Sequence, residues 1–326
     1  MKVADIVAAR TPEWHALEQD VAWLRGTMGR RLDPARLADF ARRYRAACSD
    51  LALAAGMRFP DVTVEYLQQL VADAHTQLYR TESFSIISWL RGLLIDVPRR
   101  TLGDPCTWIA AAVFSILFFG GMAAARMRPE FATEVVGDAA LADFERMYAE
   151  RPGTGAFTAG RAEMAGFYVF NNAGIGLRCF AGGILFGIGS IVILAFNGLF
   201  LGTVFGHMLA SPVADHFGEF VTAHAPFELT AIVLSAAAGL RLGWSLVDTQ
   251  GWARWDSLRR TAPRALGTAG LATVLFFLAA YVEAFVSGSA CGRAAKVAVA
   301  CGTGLVLVAY FIGAGWRSRA EGGDAR

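Results

Sequence analysis

The alternation of hydrophobic and polar positions changes character once along the chain, near residue 104. Before that point apolar residues recur every three or four positions, which is the signature of a helix with one buried face. Trp14, Leu17, Val21 and Leu24 follow this spacing in the first segment. Asp33-Pro34 opens a second helix, with Asp33 as N-cap and Pro34 at the first helical position. Leu37, Phe40, Tyr44, Ala47, Leu51 and Ala54 form its stripe, and Gly56 ends it. A third helix is predicted from Asp61, with Val64, Leu67, Val71, Ala74 and Leu78 on one face and Arg80 in its last turn. Phe84 to Ile95 is apolar with few charges and reads as an amphipathic helix on a membrane surface.

After Asp104-Pro105 the period gives way to continuous apolar runs. Residues 106–125, 227–247, 265–286 and 294–313 are each long enough for one crossing of about 20 residues. Residues 173–211 are apolar apart from Arg178, Asn197 and His207, which is too long for a single span. Asn197-Gly198 is a turn dipeptide, so the break is predicted there, with 198–211 as a short return crossing. The polar stretch 126–166 is expected to hold a short helix near Leu141–Glu150 and a break at Pro152-Gly153. The expected fold is therefore all-α. It is a polytopic membrane helix bundle of about six spans, one short or broken, in residues 104–326. A soluble helical domain occupies residues 1–103.

Composition agrees with this division. Hydrophobic residues make up 55% of the 326 and charged residues 18%, a balance that excludes disorder, a disulfide scaffold and a coiled coil. Lys2 and Lys296 are the only lysines among 30 basic residues. No basic stripe is interleaved with aromatics, so nucleic acid is not an expected partner. The five cysteines have no metal-ligand spacing. The N-terminal "MKVADIVAARTPEWHALEQD" lacks an apolar signal core, so a later span is expected to drive insertion.

Basic residues near span ends give the orientation. Arg91, Arg99 and Arg100 precede the first span, Arg254, Arg259, Arg260 and Arg264 fill the 248–264 loop, and Arg317 and Arg319 follow the last. Loop 126–166 carries five basic and seven acidic residues. Loop 212–226 is also net acidic. Both termini are thus expected in the cytoplasm and the two acidic loops outside.

Charges inside spans are costly and serve as functional candidates. Arg241 lies toward the inner end of its span and can snorkel to the cytoplasmic surface. Arg178, Glu228 and Glu283 are expected at similar depth near the outer leaflet, where an Arg178–Glu pair would offset part of the cost. His224 and Glu228 are four apart. Pro226 places His224 before the helix start and Glu228 in the first turn, where a carboxylate also serves as a cap. Asn171 and Asn172 either cap a helix or line a polar pocket with Arg178 and Glu228. Asn197 is read as a turn residue. Gly198, Gly202 and Gly206 make two GxxxG steps and so form a close-packing face within the bundle or between copies. No phosphate loop, nucleophile elbow or HExxH occurs, so neither a catalytic group nor a cofactor is indicated.

At these residues the sequence resembles the stage II sporulation protein M family. The resemblance is carried by "FNNAGIGLRCFAGGILFGIGSIVILAFNGLFLGTVFGHM", "HAPFELTAIVLSAAAGLRLG" and "AAYVEAF". The family pattern maps to Asn171 and Asn172, Asn197 and Gly198, His224 and Glu228, and Glu283. Members usually have Gly after this His, whereas Ala225-Pro226 follows here. The resemblance implies a membrane-anchored component that works with cell-wall enzymes and has no known chemistry of its own. The expected role is thus a bacterial inner-membrane assembly protein acting in the cell envelope. Its partners would be membrane lipids and proteins that bind residues 1–103 and the outer loops. The alternative is a transporter or lipid-handling protein built on the Arg178, Glu228 and Glu283 cluster.

Overall fold

The structure is a computed structural model. It describes residues 3–26, 33–57, 59–78, 86–150 and 161–323, and among these every regular element is helical. The expected break at Pro152-Gly153 and Arg80 lie outside the described residues. The chain divides into two compact units, Met1–Phe84 and Ser85–Arg326.

The first unit contains α1 (Val3–Gly26), α2 (Pro34–Gly56) and α3 (Asp61–Leu78). The Asp33 carboxylate accepts the Ala35 N–H at 3.0 Å, so the predicted cap starts α2. The apolar stripes converge on one core that includes Trp14, Leu17, Phe40, Ala47, Leu67 and Ala74. Several polar groups at its edge are paired. Trp14 Nε1 donates to Asp50 Oδ2 at 2.8 Å, and Arg10 joins the same carboxylate. Asp20 is 5% exposed and faces Arg43 and, at 3.6 Å, Arg36. Removing one partner of a buried ion pair costs about 3 kcal/mol. In Asp20→Ala the most protected amides of α1 and α2 should therefore exchange about 100-fold faster in the full chain. Unchanged protection would show that the Asp20 cluster does not hold these helices together.

The second unit begins earlier than the pattern indicated. Residues 86–103 form α4 (Ile86–Arg91), a π-turn (Gly92–Asp96) and α5 (Val97–Gly103). Leu93 and Val97 are buried in the same core as the membrane helices, and the Tyr310 O–H donates to the Leu93 carbonyl. The boundary expected at 103 thus lies near 84. Residues 86–103 have an apolar face that needs a cover, and α13 and α14 provide it.

Six long helices follow: α6 (Pro105–Met127), α9 (Arg161–Ala181), α10 (Ile188–Met208), α12 (Ala225–Val247), α13 (Arg254–Val282) and α14 (Arg293–Gly323). Shorter helices α7 (Pro129–Val136), α8 (Asp138–Met147) and α11 (Ala214–Val221) lie between them. All the long helices except α9 are long and apolar enough to cross a membrane. α9 runs parallel to α12: Gly176 lies against Ser235, and Gly183 against Gly239. α12 is the central helix, buried along most of its length.

The chain reverses at 182–187, not at Asn197-Gly198. A short 3-10 turn (Gly182–Ile184) leads to Phe186 and Gly187, with φ of 54° and 84°. Gly182 and Gly189 then approach so closely that a Cβ on Gly182 would lie 2.7 Å from Gly189. Ser190 Oγ closes the hairpin on the Cys179 carbonyl at 2.6 Å. Asn197 sits inside α10, where its amide donates to the Ile193 carbonyl at 2.8 Å. An asparagine that bonds back into its own helix does not break it. The predicted short return segment 198–211 is thus the second half of a full-length helix.

α6 and α10 also run parallel. Gly198 lies against Phe114, Gly202 against Phe118 and Gly206 against Met122, so both helices advance four residues per step. This register lets the two backbones approach to contact distance.

Candidate functional site

One end of the bundle gathers the N-terminus of α12, the C-terminus of α13, the N-terminus of α14, and α11. Each contributes a buried polar group. His224 is the N-cap residue of α12, and Pro226 fixes the first turn. One turn on, the Glu228 carboxylate points toward the imidazole, with Oε2 3.5 Å from His224 Nε2. α13 ends in a π-turn (Glu283–Ser287), a geometry frequent at functional sites. Glu283 is 7% exposed, and its Oε2 makes no hydrogen bond. Ser287 Oγ lies 2.9 Å from His224 Nδ1. Lys296, at the start of α14, is fully buried; its ammonium donates to the Ser287 carbonyl at 2.8 Å and lies 3.5 Å from Glu219 Oε1 of α11.

His224, Glu228 and Glu283 each offer one ligand atom, and these atoms lie within 4.8 Å of one another. Such a set can bind a cation or share a proton, since three donors of this type leave room for a further ligand.

The remaining sequence candidates are placed as follows. Arg178 is exposed near the C-terminus of α9, on the turns that pack beside Gly239. No ion pair joins it to Glu228 or Glu283 among the described residues. The expected common depth fails because Arg178 lies in the last turn of α9, beside Gly239 in the C-terminal half of α12, whereas Glu228 lies in the first turn of α12. Asn172 is buried on α9, which packs against the π-turn, and accepts the Asn171 side-chain N–H at 3.2 Å. Asn197 lies midway along α10, bonded to the Ile193 carbonyl of its own helix. His207 pairs with Glu145 at 2.8 Å, and His216 bonds the Tyr148 carbonyl at 3.0 Å, so neither joins the His224 cluster.

Glu219, Ser287 and Lys296 were not singled out from sequence. A signal existed for Lys296, a lone ammonium near the start of an apolar run. Glu219 and Ser287 carry no pattern of their own, because only the meeting of α11, α13 and α14 gives them meaning.

The opposite end is basic. A cavity of about 360 Å³ there is lined in part by Arg100, Asp104, Arg241 and Arg264. Arg241 Nε lies 3.4 Å from Asp104 Oδ2, so this intramembrane arginine is paired with the N-cap carboxylate of α6.

Long apolar helices, a glycine-packed parallel pair and a buried polar cluster at the helix ends define a multi-pass α-helical membrane protein. The family model described as stage II sporulation protein M matches residues 109–288, more than half of the chain, which therefore belongs to that family. The match runs from α6 through the π-turn. It contains His224, Glu228, Glu283 and Ser287 but stops short of Lys296. Residues 4–80 separately match a family described as a domain of unknown function. No curated protein and no solved structure matches the chain.

Proposed function

We propose that this protein is an assembly component of the bacterial cell envelope, held in the inner membrane by its helix bundle and recruiting partners through its N-terminal helical domain. The observation that carries the reading is the self-contained Met1–Phe84 unit. It has its own apolar core and its own family match, distinct from the membrane part. A module that packs by itself and is joined to a membrane anchor suits recruitment. The basic end supports the orientation: Arg100, Arg241 and Arg264 line its cavity, and arginines at span ends favour the cytoplasmic face. The α7, α8 and α11 end, with its acidic connections, then faces outward. Both termini lie in the cytoplasm on this reading, and a second copy is a further partner open to the bundle.

Deleting residues 1–84, and not 1–103, tests it, because 86–103 belong to the membrane core. The deletion is expected to insert normally and to lose the stoichiometric protein partners captured with the full chain in mild detergent. An unchanged set of partners would sink the proposal.

A second reading, membrane transport or lipid handling, draws on the buried His224, Glu228 and Glu283 group, without Arg178. Glu228→Gln and Glu283→Gln would then abolish flux in reconstituted vesicles at normal expression. Wild-type flux in both would count decisively against it.

A further inference from the structure

We propose that His224, Glu228 and Glu283 form a binding site for one divalent first-row transition-metal cation, of the class of Zn²⁺ or Mn²⁺. The proposal stands on geometry and holds whether or not the N-terminal domain recruits partners.

Four observations converge. The first is the donor set. One imidazole nitrogen and two carboxylates suit borderline cations better than they suit Ca²⁺, which takes six or more oxygens. The second is spacing. Metal–N and metal–O bonds of about 2.1 Å in a tetrahedral array separate ligand atoms by about 3.4 Å. The His224 Nε2–Glu228 Oε2 separation is 3.5 Å. The widest separation in the trio is under 4.8 Å, so closure needs a carboxylate movement of about 1 Å, within the reach of a side-chain torsion.

The third is the orphaned oxygen. Glu283 Oε2 is buried with no hydrogen-bond partner, in a residue only 7% exposed. A buried polar atom without a partner costs about 1–3 kcal/mol, and more when charged. Two carboxylates side by side in an apolar bundle also repel each other. A dication removes both penalties, since its charge balances the pair. The fourth is the support behind the imidazole. A metal-binding histidine characteristically donates its other ring N–H to a fixed acceptor, which sets the tautomer. Ser287 Oγ stands 2.9 Å from Nδ1 in the position of that acceptor. In this tautomer Nε2 carries a lone pair facing Glu228, an arrangement that a cation between them stabilises. Lys296, bonded to the Ser287 carbonyl, holds the supporting serine in place.

The test uses the full chain, purified in detergent without a polyhistidine tag, stripped with chelator and then equilibrated with Zn²⁺ or Mn²⁺. Bound metal is measured by elemental mass spectrometry after desalting. One ion per chain is expected in the wild type and in Glu145→Gln, which alters a carboxylate outside the cluster. Glu283→Gln and Glu228→Gln should lose it, and both are near-isosteric, so one of the pair is available should the other fail to fold. Ser287→Ala should keep the stoichiometry but bind about 10- to 100-fold more weakly. Absence of a stoichiometric ion from the wild type with both cations would overturn the proposal. So would an ion retained by a folded Glu283→Gln or Glu228→Gln protein, which would place the metal elsewhere. In the first of these cases a shared proton, not a metal, would occupy the cluster.

Discussion

Gly202→Leu is expected to prevent assembly of the membrane bundle. A Cβ on Gly202 would lie 2.0 Å from the Phe118 carbonyl oxygen and 2.7 Å from its carbon. The obstructing atoms are backbone, so no rotamer change relieves the clash, and α6 and α10 must separate. Among the described residues this pair has the most extensive helix–helix interface. With no water to drive apolar surfaces together in lipid, that interface depends on close van der Waals contact. Overpacking a close site by a few carbons costs about 1–3 kcal/mol even where neighbours can move. Here they cannot, and the yield of monodisperse protein in mild detergent should fall by about tenfold or more.

Alanine at the three successive glycines gives a finer test. The nearest atom to the added Cβ lies at 2.0 Å for Gly202, 2.4 Å for Gly206 and 3.2 Å for Gly198. Damage should therefore rank Gly202→Ala, then Gly206→Ala, then Gly198→Ala, measured as the midpoint of thermal unfolding. Equal midpoints for all three would show that the parallel α6–α10 register is wrong.

Lys296→Met is expected to be the most destabilising change near the polar cluster. The lysine is completely buried and its ammonium lies 3.5 Å from Glu219 Oε1. Methionine preserves much of the side-chain volume but takes the positive charge away from a buried carboxylate. Removing one partner of such a pair costs about 3–5 kcal/mol, because the other keeps its desolvation penalty. The unfolding midpoint in detergent should drop by on the order of 10 °C. The double variant Lys296→Met with Glu219→Gln should recover most of the loss, since replacing both charges of a buried pair is often close to neutral. A single variant as stable as the wild type would show that the pair carries no weight. Lys296 lies on α14, beyond the 109–288 family match, and from there it reaches both the Ser287 carbonyl and Glu219.

The sequence by itself determined the class of structure. Runs of about 20 apolar residues cannot be accommodated in water without a very large core, and in lipid only helices or closed barrels satisfy the backbone. The N-terminal helices were legible because their stripes have the helical period and Asp33-Pro34 is a local start signal. The packing glycines were also legible as a face, because spacing by four is a property of the chain alone.

The structure decided whatever depends on which helices meet. Asn197-Gly198 reads as a turn by composition, yet the reversal falls at Phe186-Gly187, where α9 and α10 cross closely over glycines. Two candidate breaks in one apolar run cannot be ranked until the neighbouring helices fix the length of each. The same uncertainty misplaced Arg178, whose depth follows directly from where the turn lies. By sequence the soluble domain runs to residue 103 and ends in a helix lying on the membrane surface, but Leu93 and Val97 complete the core of the membrane unit. The polar cluster is the clearest case. Four residue types at sequence separations of up to 77 positions, from Glu219 to Lys296, become one site only because α11, α12, α13 and α14 end at the same level of the bundle. Sequence periodicity records which face of a helix is buried; it holds no record of which partner buries it, and that pairing is set by tertiary packing.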